Sequence, residues 1–201
     1  MEKSNNFAVL ILAAGTSSRL GEPKQLLKIK DETLIKIAVK KALNLTNDVK
    51  VVLGHKSHEI MQEIKHFPIS IVINPNYEQG MGSSISFGMK DFSESKKVLI
   101  MLCDQPLIPL SHYNLLIKKS IENEDLIICS KYQDRFAVPS LFPKIYHKNL
   151  LELKGDEGAR KLLKNNPIAY ITLDDKFSVD IDTKEDFENL DLSLFTNNAT
   201  T

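Results

Sequence analysis

The sequence predicts an α/β fold in which helices flank a mostly parallel β-sheet. Short apolar runs rich in branched residues alternate along the chain with stretches of helical periodicity, the pattern of right-handed βαβ units. Phe7–Leu12, Val49–Leu53 and Val98–Cys103 have the composition of strands buried on both faces inside a parallel sheet. Since ligands of such sheets bind beyond the carboxyl ends of the strands, the loops that follow these runs are candidate sites.

The composition indicates one globular domain without a nucleic-acid or membrane partner. The chain has 201 residues with 42% hydrophobic and 26% charged content, so we expect a domain over residues 1–192 and a disordered polar tail over residues 193–201. The formal net charge of zero gives no global field that attracts nucleic acid or an anionic membrane. No apolar run approaches the roughly 20 residues that span a bilayer, and the first six residues show no signal-peptide pattern. Cys103 and Cys129 lie in apolar runs, as reduced core thiols do, so we expect a cytoplasmic protein.

The remaining elements follow the first strand in order. Residues 24–30 form a turn or short helix, and residues 32–45 show helical spacing. Further along, the patterns predict strands over 49–53, 69–73, 98–103, 125–129 and 168–173, helices over 58–65 and 111–122, a helix capped by Ser83 or Ser84, and a helix that begins after Thr183 with Asp186 as its capping-box partner. Residues 132–142 show no clear periodicity.

The loop after the first predicted strand has the composition of a phosphate-binding loop. Successive backbone N–H groups of small residues can form a concavity for phosphate oxygens, and the residues concerned are Leu12, Ala13, Ala14, Gly15, Thr16, Ser17 and Ser18. Arg19 and Lys24 follow, and two such cations can close over a polyphosphate. The chain contains neither a Walker loop nor a Gly-x-Gly-x-x-Gly fingerprint. We therefore predict a nucleoside triphosphate site, with an ordinary strand-to-helix turn and surface charges as the alternative.

Three acidic residues are candidates for a metal site. Asp104 directly follows a buried strand and precedes a proline, so its charge lies at a sheet end, where it needs a cation. Mg²⁺ on a triphosphate is the natural partner, because this hard ion takes one or two carboxylates plus phosphate oxygens; the alternative is a helix N-cap Asp. Asp180 and Asp182 alternate around Ile181 and would face one way in extended backbone, with solvated loop acids as the alternative.

Residues 74–88 form a second candidate ligand segment. It follows the third predicted strand and holds Gly80 and Gly82, which remove side chains that would block the approach of a base or ribose. A glycine-rich loop and helix cap with a purely structural role is the alternative.

These stretches resemble the MobA-like nucleotidyltransferase family. Residues 12–24, LAAGTSSRLGEPK, are similar to the family motif L-A-A-G-x-S-x-R-M-G-x-P-K, with Leu20 in place of Met. Residues 102–106, LCDQP, match the stretch of the members that transfer cytidylyl groups, whereas guanylyl-transferring relatives usually carry D-M-P. Further similarities are N-P-x-W-x-x-G-M-x-S-S at 74–84 with Tyr77 for Trp, G-x-P-A-L-F at 137–142 with Ala137 for Gly and Ser140 for Ala, L-x-G-D-x-G-A-R-x-L-L at 153–163, and D-I-D-T-P-E-D at 180–186 with Lys184 for Pro.

The resemblance implies a Rossmann-like nucleotidyltransferase domain, closest to the molybdenum cofactor cytidylyltransferases. Such an enzyme transfers CMP from CTP to the terminal phosphate of molybdopterin, releases pyrophosphate, and serves a molybdoenzyme, here one of the xanthine dehydrogenase type. The alternatives are a transferase that uses GTP or another phosphorylated acceptor, and a non-catalytic maturation chaperone for a molybdoenzyme.

The resemblance also assigns roles to individual residues. Arg19 and Lys24 would be catalytic, with Arg19 on the β- and γ-phosphates and Lys24 at the α-phosphate. The other assignments are Asp104 and Asp182 for Mg²⁺ with Asp180 in reserve, Gly82 and Ser83 for the base, Asp104 and residues 12–18 for the nucleotide, and Gly155, Asp156 and Pro139 for the acceptor side. Arg135 is expected at the surface, with a contact to the acceptor phosphate as the alternative.

Overall fold

A seven-stranded sheet forms the centre of the computed structural model, which describes residues 7–92, 97–156 and 158–195. The strands within these residues are β1 (Phe7–Ala13), β2 (Lys28–Ile29), β3 (Glu32–Thr33), β4 (Val49–Leu53), β5 (Ser70–Ile73), β6 (Lys97–Leu102), β7 (Ile127–Tyr132), β8 (Arg135–Pro143) and β9 (Ile168–Thr172). The sheet has the order β5-β4-β1-β6-β8-β7-β9, and β2 and β3 pair separately as a small antiparallel ribbon. Only β8 runs antiparallel to its neighbours in the seven-stranded sheet, so the mixed, mostly parallel α/β architecture is confirmed.

The strand order creates a topological switch point beside β1. From β1 the chain passes to β4 and β5 on one side, then returns to β6 on the other side. Because β1 pairs in parallel with both β4 and β6, all three carboxyl ends meet at the same edge. A crevice for a ligand forms at such a point, between the loops that leave the sheet in opposite directions.

Helices cover both faces of the sheet. Within the described residues they are α1 (Leu34–Leu45), α2 (Ser57–Ile64), α3 (Met81–Gly88), α4 (Leu110–Glu122), α5 (His147–Leu151), α6 (Arg160–Asn165) and α7 (Lys184–Glu188). Side chains of β1 alternate between two apolar clusters, with Val9 and Ile11 on the α1 and α4 side and Leu10 and Leu12 on the α3 and α6 side. This two-sided burial explains why β1 is a continuous apolar run.

Two predictions of local structure were wrong. The helix predicted to start at a serine cap begins at Met81 after Gly80, whose φ of +98° is a conformation that favours glycine. Residues 132–142, which show no periodicity, contain most of β8. This strand is inserted between β6 and β7, so pairing with distant segments, and not a local pattern, determines it.

The end of the chain is ordered further than the predicted boundary at residue 192. Leu192–Leu194 form a short 3-10 turn, and Phe195 is buried in an apolar cluster with Ile29 and Leu34. Burial of these side chains explains why the polar composition alone misplaced the boundary. Residues 196–201 of the predicted disordered tail lie outside the described residues. In the described part of the chain, every helix is too short or too polar to cross a bilayer.

A buried histidine connects α4 to the mixed half of the sheet. His112 Nε2 lies 2.8 Å from Ser130 Oγ, and the Ser130 hydroxyl donates to the Pro139 carbonyl at 2.9 Å. The ring N–H is therefore the donor to Ser130. Burial lowers the pKa of His112 from 6.5 to about 4, because the imidazolium would lose its hydration.

The depressed pKa of His112 predicts acid destabilisation in a defined window. The unfolded chain takes up the proton as the pH falls through 6.5, whereas the folded chain does so only near pH 4, so the free energy of unfolding falls across this window. We expect a contribution on the order of 2 to 3 kcal/mol. Denaturant unfolding between pH 7 and 4 measures it. His112→Gln, whose amide can still donate to Ser130, should flatten the pH dependence, whereas the exposed His58→Gln should not. Equal slopes for the two variants would contradict the assignment.

Candidate active site

A buried glutamine shapes the loop after β1. The Gln25 side chain is 1% exposed, and its Nε2 donates to the carbonyls of Ala13 at 2.9 Å and Gly15 at 3.2 Å. The Lys24 N–H donates to Ser17 Oγ at 3.0 Å, and Ser17 has a φ of +54°. The loop is thus curled back on the turn that carries Lys24. Sequence reasoning missed Gln25, whose only signal is its position next to Lys24 of the motif.

Lys24 joins two carboxylates that are far apart in the sequence. Its Nζ donates to Asp104 Oδ2 at 2.6 Å and to Asp182 Oδ1 at 2.8 Å, while Arg19 donates to Asp182 Oδ2 at 2.9 Å. Lys24 and Asp104 are mostly buried, with 12% and 16% of their side chains exposed, whereas 68% of the Arg19 side chain is exposed. The structure therefore brings together Arg19, Lys24, Asp104 and Asp182, which we call the charged cluster.

Backbone hydrogen bonds place the two carboxylates. Asp104 follows the carboxyl end of β6, and its carbonyl accepts the Ile181 N–H at 3.0 Å, which ties the loop before α7 to the sheet. The Asp186 carboxylate accepts the N–H groups of Asp182 at 3.1 Å and Thr183 at 2.7 Å. Thr183 Oγ1 accepts the Asp186 N–H, so the predicted capping box is confirmed and it orients the residue before it.

The ion pairs of the cluster favour the charged forms of Lys24 and Asp182. Burial lowers the pKa of Lys24, but the charges and hydrogen bonds of Asp104 and Asp182 outweigh it and raise the pKa above its ordinary value. Burial raises the pKa of Asp182, yet Lys24 and Arg19 together hold that pKa below its usual range. A lysine and an arginine thus face two carboxylates.

Asp180, the reserve metal ligand, has other partners. Its Oδ1 accepts from Gln105 Nε2 at 2.7 Å, and its Oδ2 lies 3.5 Å from an Arg135 nitrogen. Burial and the nearby charge of Asp104 raise the pKa of Asp180. The segment is not a strand, and Asp180 and Asp182 do not share one set of partners as extended backbone would suggest. The choice of Asp182 over Asp180 as metal ligand stays a prediction.

A first cavity of about 370 Å³ lies against the loop after β1. Eight of the predicted residues line it, namely Leu12, Ala13, Ala14, Gly15, Thr16, Lys24, Asp104 and Asp156. Ser17, Ser18 and Arg19 are outside its lining. The cavity therefore extends from the small-residue loop to the charged cluster, as a site for a nucleoside triphosphate requires.

Gly82 and Ser83, the predicted base contacts, are engaged within the protein. Gly82 N–H donates to the Gly155 carbonyl at 2.7 Å, and a Cβ on Gly82 would lie 2.7 Å from the Lys154 carbonyl oxygen. The Ser83 hydroxyl contacts the carbonyls of Asn76 and Gly80. Neither residue lines the first cavity; their neighbours Tyr77, Glu78, Gly80, Met81 and Ser84 do. Of these, the missed Tyr77 stands where the family motif has Trp.

A second cavity of about 380 Å³ adjoins the first and shares Met81, Leu102 and Asp156 with it. Its other lining residues are Gln105, Tyr132, Arg135, Phe136, Ala137, Val138, Ala159, Arg160, Leu163 and Asp180. Of the predicted acceptor-side residues, Asp156 lines both cavities, while Gly155 accepts the bond from Gly82 and Pro139 accepts one from Ser130. Sequence reasoning missed Gln105 and Tyr132.

The carboxylates of the charged cluster suit a hard divalent cation. Asp104 and Asp182 converge on one point, the Lys24 ammonium, and Asp104 Oδ1 is a buried oxygen without a hydrogen-bond partner among the described residues. Two carboxylates are what a protein commonly supplies to Mg²⁺ on a phosphate ligand. Among the described residues, no group of three or more His, Cys, Asp or Glu is arranged to hold a metal ion by itself.

Relatives of known sequence share this fold and length. A profile of the MobA-like NTP transferase domain matches residues 9–170. The chain is 31% identical over 193 residues to the purine catabolism protein PucB of Bacillus subtilis (strain 168), which covers 89% of this chain and 93% of PucB. It is 27% identical over 195 residues to the nicotine blue oxidoreductase of Paenarthrobacter nicotinovorans, covering 90% of this chain and 94% of that protein.

Solved structures with the same fold cover nearly the whole chain. A homologue of Mycobacterium tuberculosis Rv0371c, from Mycobacterium sp. strain JC1, is 28% identical with a TM-score of 0.83 and covers 94% of this chain and 96% of its own. Rv0371c in complex with manganese has a TM-score of 0.78 at 22% identity, and the match covers 92% of this chain and 98% of Rv0371c. At this identity the similarity is one of fold. Because the family profile matches most of the chain and PucB matches nearly all of it, the chain belongs to the MobA-like NTP transferase family.

Proposed function

We propose that the protein is a molybdenum cofactor cytidylyltransferase, which transfers CMP from CTP to the terminal phosphate of molybdopterin and releases pyrophosphate. The observation that carries the proposal is the Lys24 ammonium held between Asp104 and Asp182, with Arg19 on the same carboxylate. This arrangement lies at the switch point of the sheet and beside the small-residue loop. Membership of the family supports nucleotidyl transfer, and the choice of CTP and molybdopterin rests on the LCDQP resemblance.

Different residues of the site would contact different phosphates in such a transfer. The exposed Arg19 would hold the β- and γ-phosphates, while the mostly buried Lys24 would stabilise the charge that grows at the α-phosphate. N–H groups of the loop from Ala13 to Thr16 would bind phosphate oxygens. The acceptor is already an anionic phosphate, so no general base is needed and catalysis consists of alignment and charge neutralisation.

Asp104 and Asp182 would hold Mg²⁺. The bound ion would neutralise the triphosphate and help orient it for in-line attack. The free Oδ1 of Asp104 supports this assignment, and a structural relative crystallised with manganese supports a divalent cation. If Lys24 and Arg19 bind the nucleotide phosphates, the carboxylates of Asp104 and Asp182 lose their present hydrogen-bond donors and would need another cation.

The names of the sequence relatives bear on the pathway. A relative named as a purine catabolism protein is compatible with delivery of the product to a molybdoenzyme of the xanthine dehydrogenase type. Another relative is named as an oxidoreductase, so family membership alone does not fix the reaction and turnover has to be measured.

Nucleotide and acceptor choice predict a specific pattern of turnover. With Mg²⁺ present, pyrophosphate should be released from CTP only when molybdopterin is added, and the product should be the cytosine dinucleotide of the cofactor. The measurement compares ATP, GTP, CTP and UTP, each with and without molybdopterin. Preference for GTP would select the guanylyl alternative, and no release with any nucleotide would favour a non-catalytic chaperone.

Removal of the central cation should abolish most of the activity. We expect Lys24→Ala to lower kcat on the order of 100-fold or more, because it removes a buried charge at the reacting phosphate. Arg19→Ala should raise the KM for CTP more than it lowers kcat, since the exposed Arg19 binds the leaving phosphates. Steady-state pyrophosphate release measures both effects. Lys28→Ala, an exposed lysine on β2, is the control and should behave as wild type.

The metal assignment predicts different magnesium titrations for neighbouring acids. Asp104→Asn and Asp182→Asn should each raise the Mg²⁺ concentration for half-maximal rate about tenfold, because each removes one charged ligand. The exposed Asp174→Asn is the control. If Asp180→Asn shifts the titration and Asp182→Asn does not, the metal ligand is Asp180 and the assignment above is wrong.

A further inference from the structure

The wall of the second cavity contains one acceptor and one donor without protein partners. Gln105 Oε1 and Arg135 Nε are both buried atoms with no hydrogen-bond partner among the described residues. Both residues line this cavity, and the whole Gln105 residue is only 3% exposed. An unsatisfied buried polar atom lowers the stability of a folded protein, because it has lost its hydrogen bonds to water. A ligand that satisfies both atoms would relieve that cost.

The orientation of the Gln105 amide is fixed by its neighbours. Its Nε2 lies 2.7 Å from a carboxylate oxygen of Asp180 and 3.1 Å from Tyr132 Oη. The Asp180 carboxylate accepts, and the Tyr132 hydroxyl already donates to the Val138 carbonyl at 2.9 Å. Only the NH₂ end of the amide can satisfy both, so Oε1 is an acceptor that awaits a donor.

Arg135 contacts the same two residues, Asp180 and Tyr132, that hold the Gln105 amide. One guanidinium nitrogen lies 3.5 Å from Asp180 Oδ2, and the guanidinium carbon lies 5.3 Å from the centroid of the Tyr132 ring. These contacts leave Nε as a donor that awaits an acceptor. Both residues line the cavity, so a small adjustment of its wall would present the two unpartnered atoms to a ligand.

We infer that the second cavity binds a flat nitrogen heterocycle through an edge with a ring N–H next to a ring carbonyl. Gln105 Oε1 would accept from the ring N–H, and Arg135 Nε would donate to the carbonyl. The apolar side chains of Met81, Leu102 and Leu163 supply surfaces for the ring faces. The pterin of the acceptor has such an edge, so this inference rests on the proposed function and adds the specificity-determining contacts to it.

The position of the cavity suits an acceptor whose phosphate must reach the charged cluster. Met81, Leu102 and Asp156 line both cavities, so a molecule in one can extend into the other. A heterocycle at Gln105 would then direct its phosphate toward Asp104, the preceding residue in the chain, which lines the first cavity. In this arrangement Arg135 contacts the ring edge, not the phosphate.

Binding of 6-hydroxymethylpterin to the full chain, followed by the fluorescence of the pterin, tests the inference. The comparison ligand is quinoxaline, which is flat and bicyclic but has no N–H donor or carbonyl. We expect Arg135→Lys and Gln105→Leu each to weaken pterin binding at least tenfold, with unchanged affinity for CTP. Arg135→Lys keeps the positive charge beside Asp180, and the exposed Lys148→Met is the control. Quinoxaline should bind at least tenfold more weakly than the pterin and should be indifferent to the variants.

Pterin binding that stays within twofold of wild type in Arg135→Lys would overturn the inference, as would equal affinity for quinoxaline or no pterin binding at all. If Gln105→Leu unfolds, Arg135→Lys alone decides. Pyrophosphate release from CTP and molybdopterin separates this inference from the proposed function. Normal release with an unchanged KM for molybdopterin in Arg135→Lys would reject only the ring contacts, whereas pterin binding that depends on both residues without any release would reject only the transferase.

Discussion

The ammonium group of Lys24 is the contact on which the site depends. Without it, Asp104 and Asp182 would place two like charges close together at the partly buried end of the sheet, at a substantial electrostatic cost. The same contact would make the site responsive to ligands, because the proposed nucleotide phosphate would compete for Lys24 and the proposed divalent cation would compete for the carboxylates. The cluster is neutral because Arg19 and Lys24 balance the two carboxylates, and a metal-bound nucleotide would exchange partners with both.

The scaffold around this contact is rigid where the charges must stay in place. Gln25 fixes the loop after β1 through two carbonyls. On the other side, Lys41 of α1 donates to the carbonyls of Pro106 and Ile108 at 2.6 and 2.7 Å, and so holds the turn that follows Asp104. Burial lowers the pKa of Lys41 to about 8, because the ammonium group loses hydration where it donates to these backbone oxygens. The loops that carry Lys24 and Asp104 are thus each anchored by a side chain that the phosphate-loop motif does not reveal.

The sequence was informative where local pattern and burial coincide, and misleading where distant pairing decides. β1 and β4 follow from their apolar runs, and the Thr183 capping box follows from its spacing. β8 has mixed polarity and is defined by its partners β6 and β7, so no periodicity indicates it. Gly82 resembles a base-binding glycine by motif, yet the backbone of Lys154, far along the chain, comes within 2.7 Å of where a Cβ would lie and so explains its small size. Lys24 and Asp104 could be predicted because they lie in motif stretches that follow strands, and the ends of these strands meet at one edge of the sheet. Gln105 could not be predicted because an uncharged amide next to a carboxylate gives no sequence signal for ligand binding.

Two loops each contribute one residue to the charged cluster and one to the second cavity. After β6, Asp104 contacts Lys24 while the next residue, Gln105, lines the second cavity. Before α7, Asp182 contacts Lys24 while Asp180, two residues earlier, contacts Gln105. The Ile181 N–H bond to the Asp104 carbonyl joins the loops at the point between these pairs. A movement of either loop that accommodates a metal-bound nucleotide must therefore also move the wall of the second cavity. The proposed nucleotide and acceptor sites consequently share one mechanical element, and occupancy of one should alter the geometry of the other.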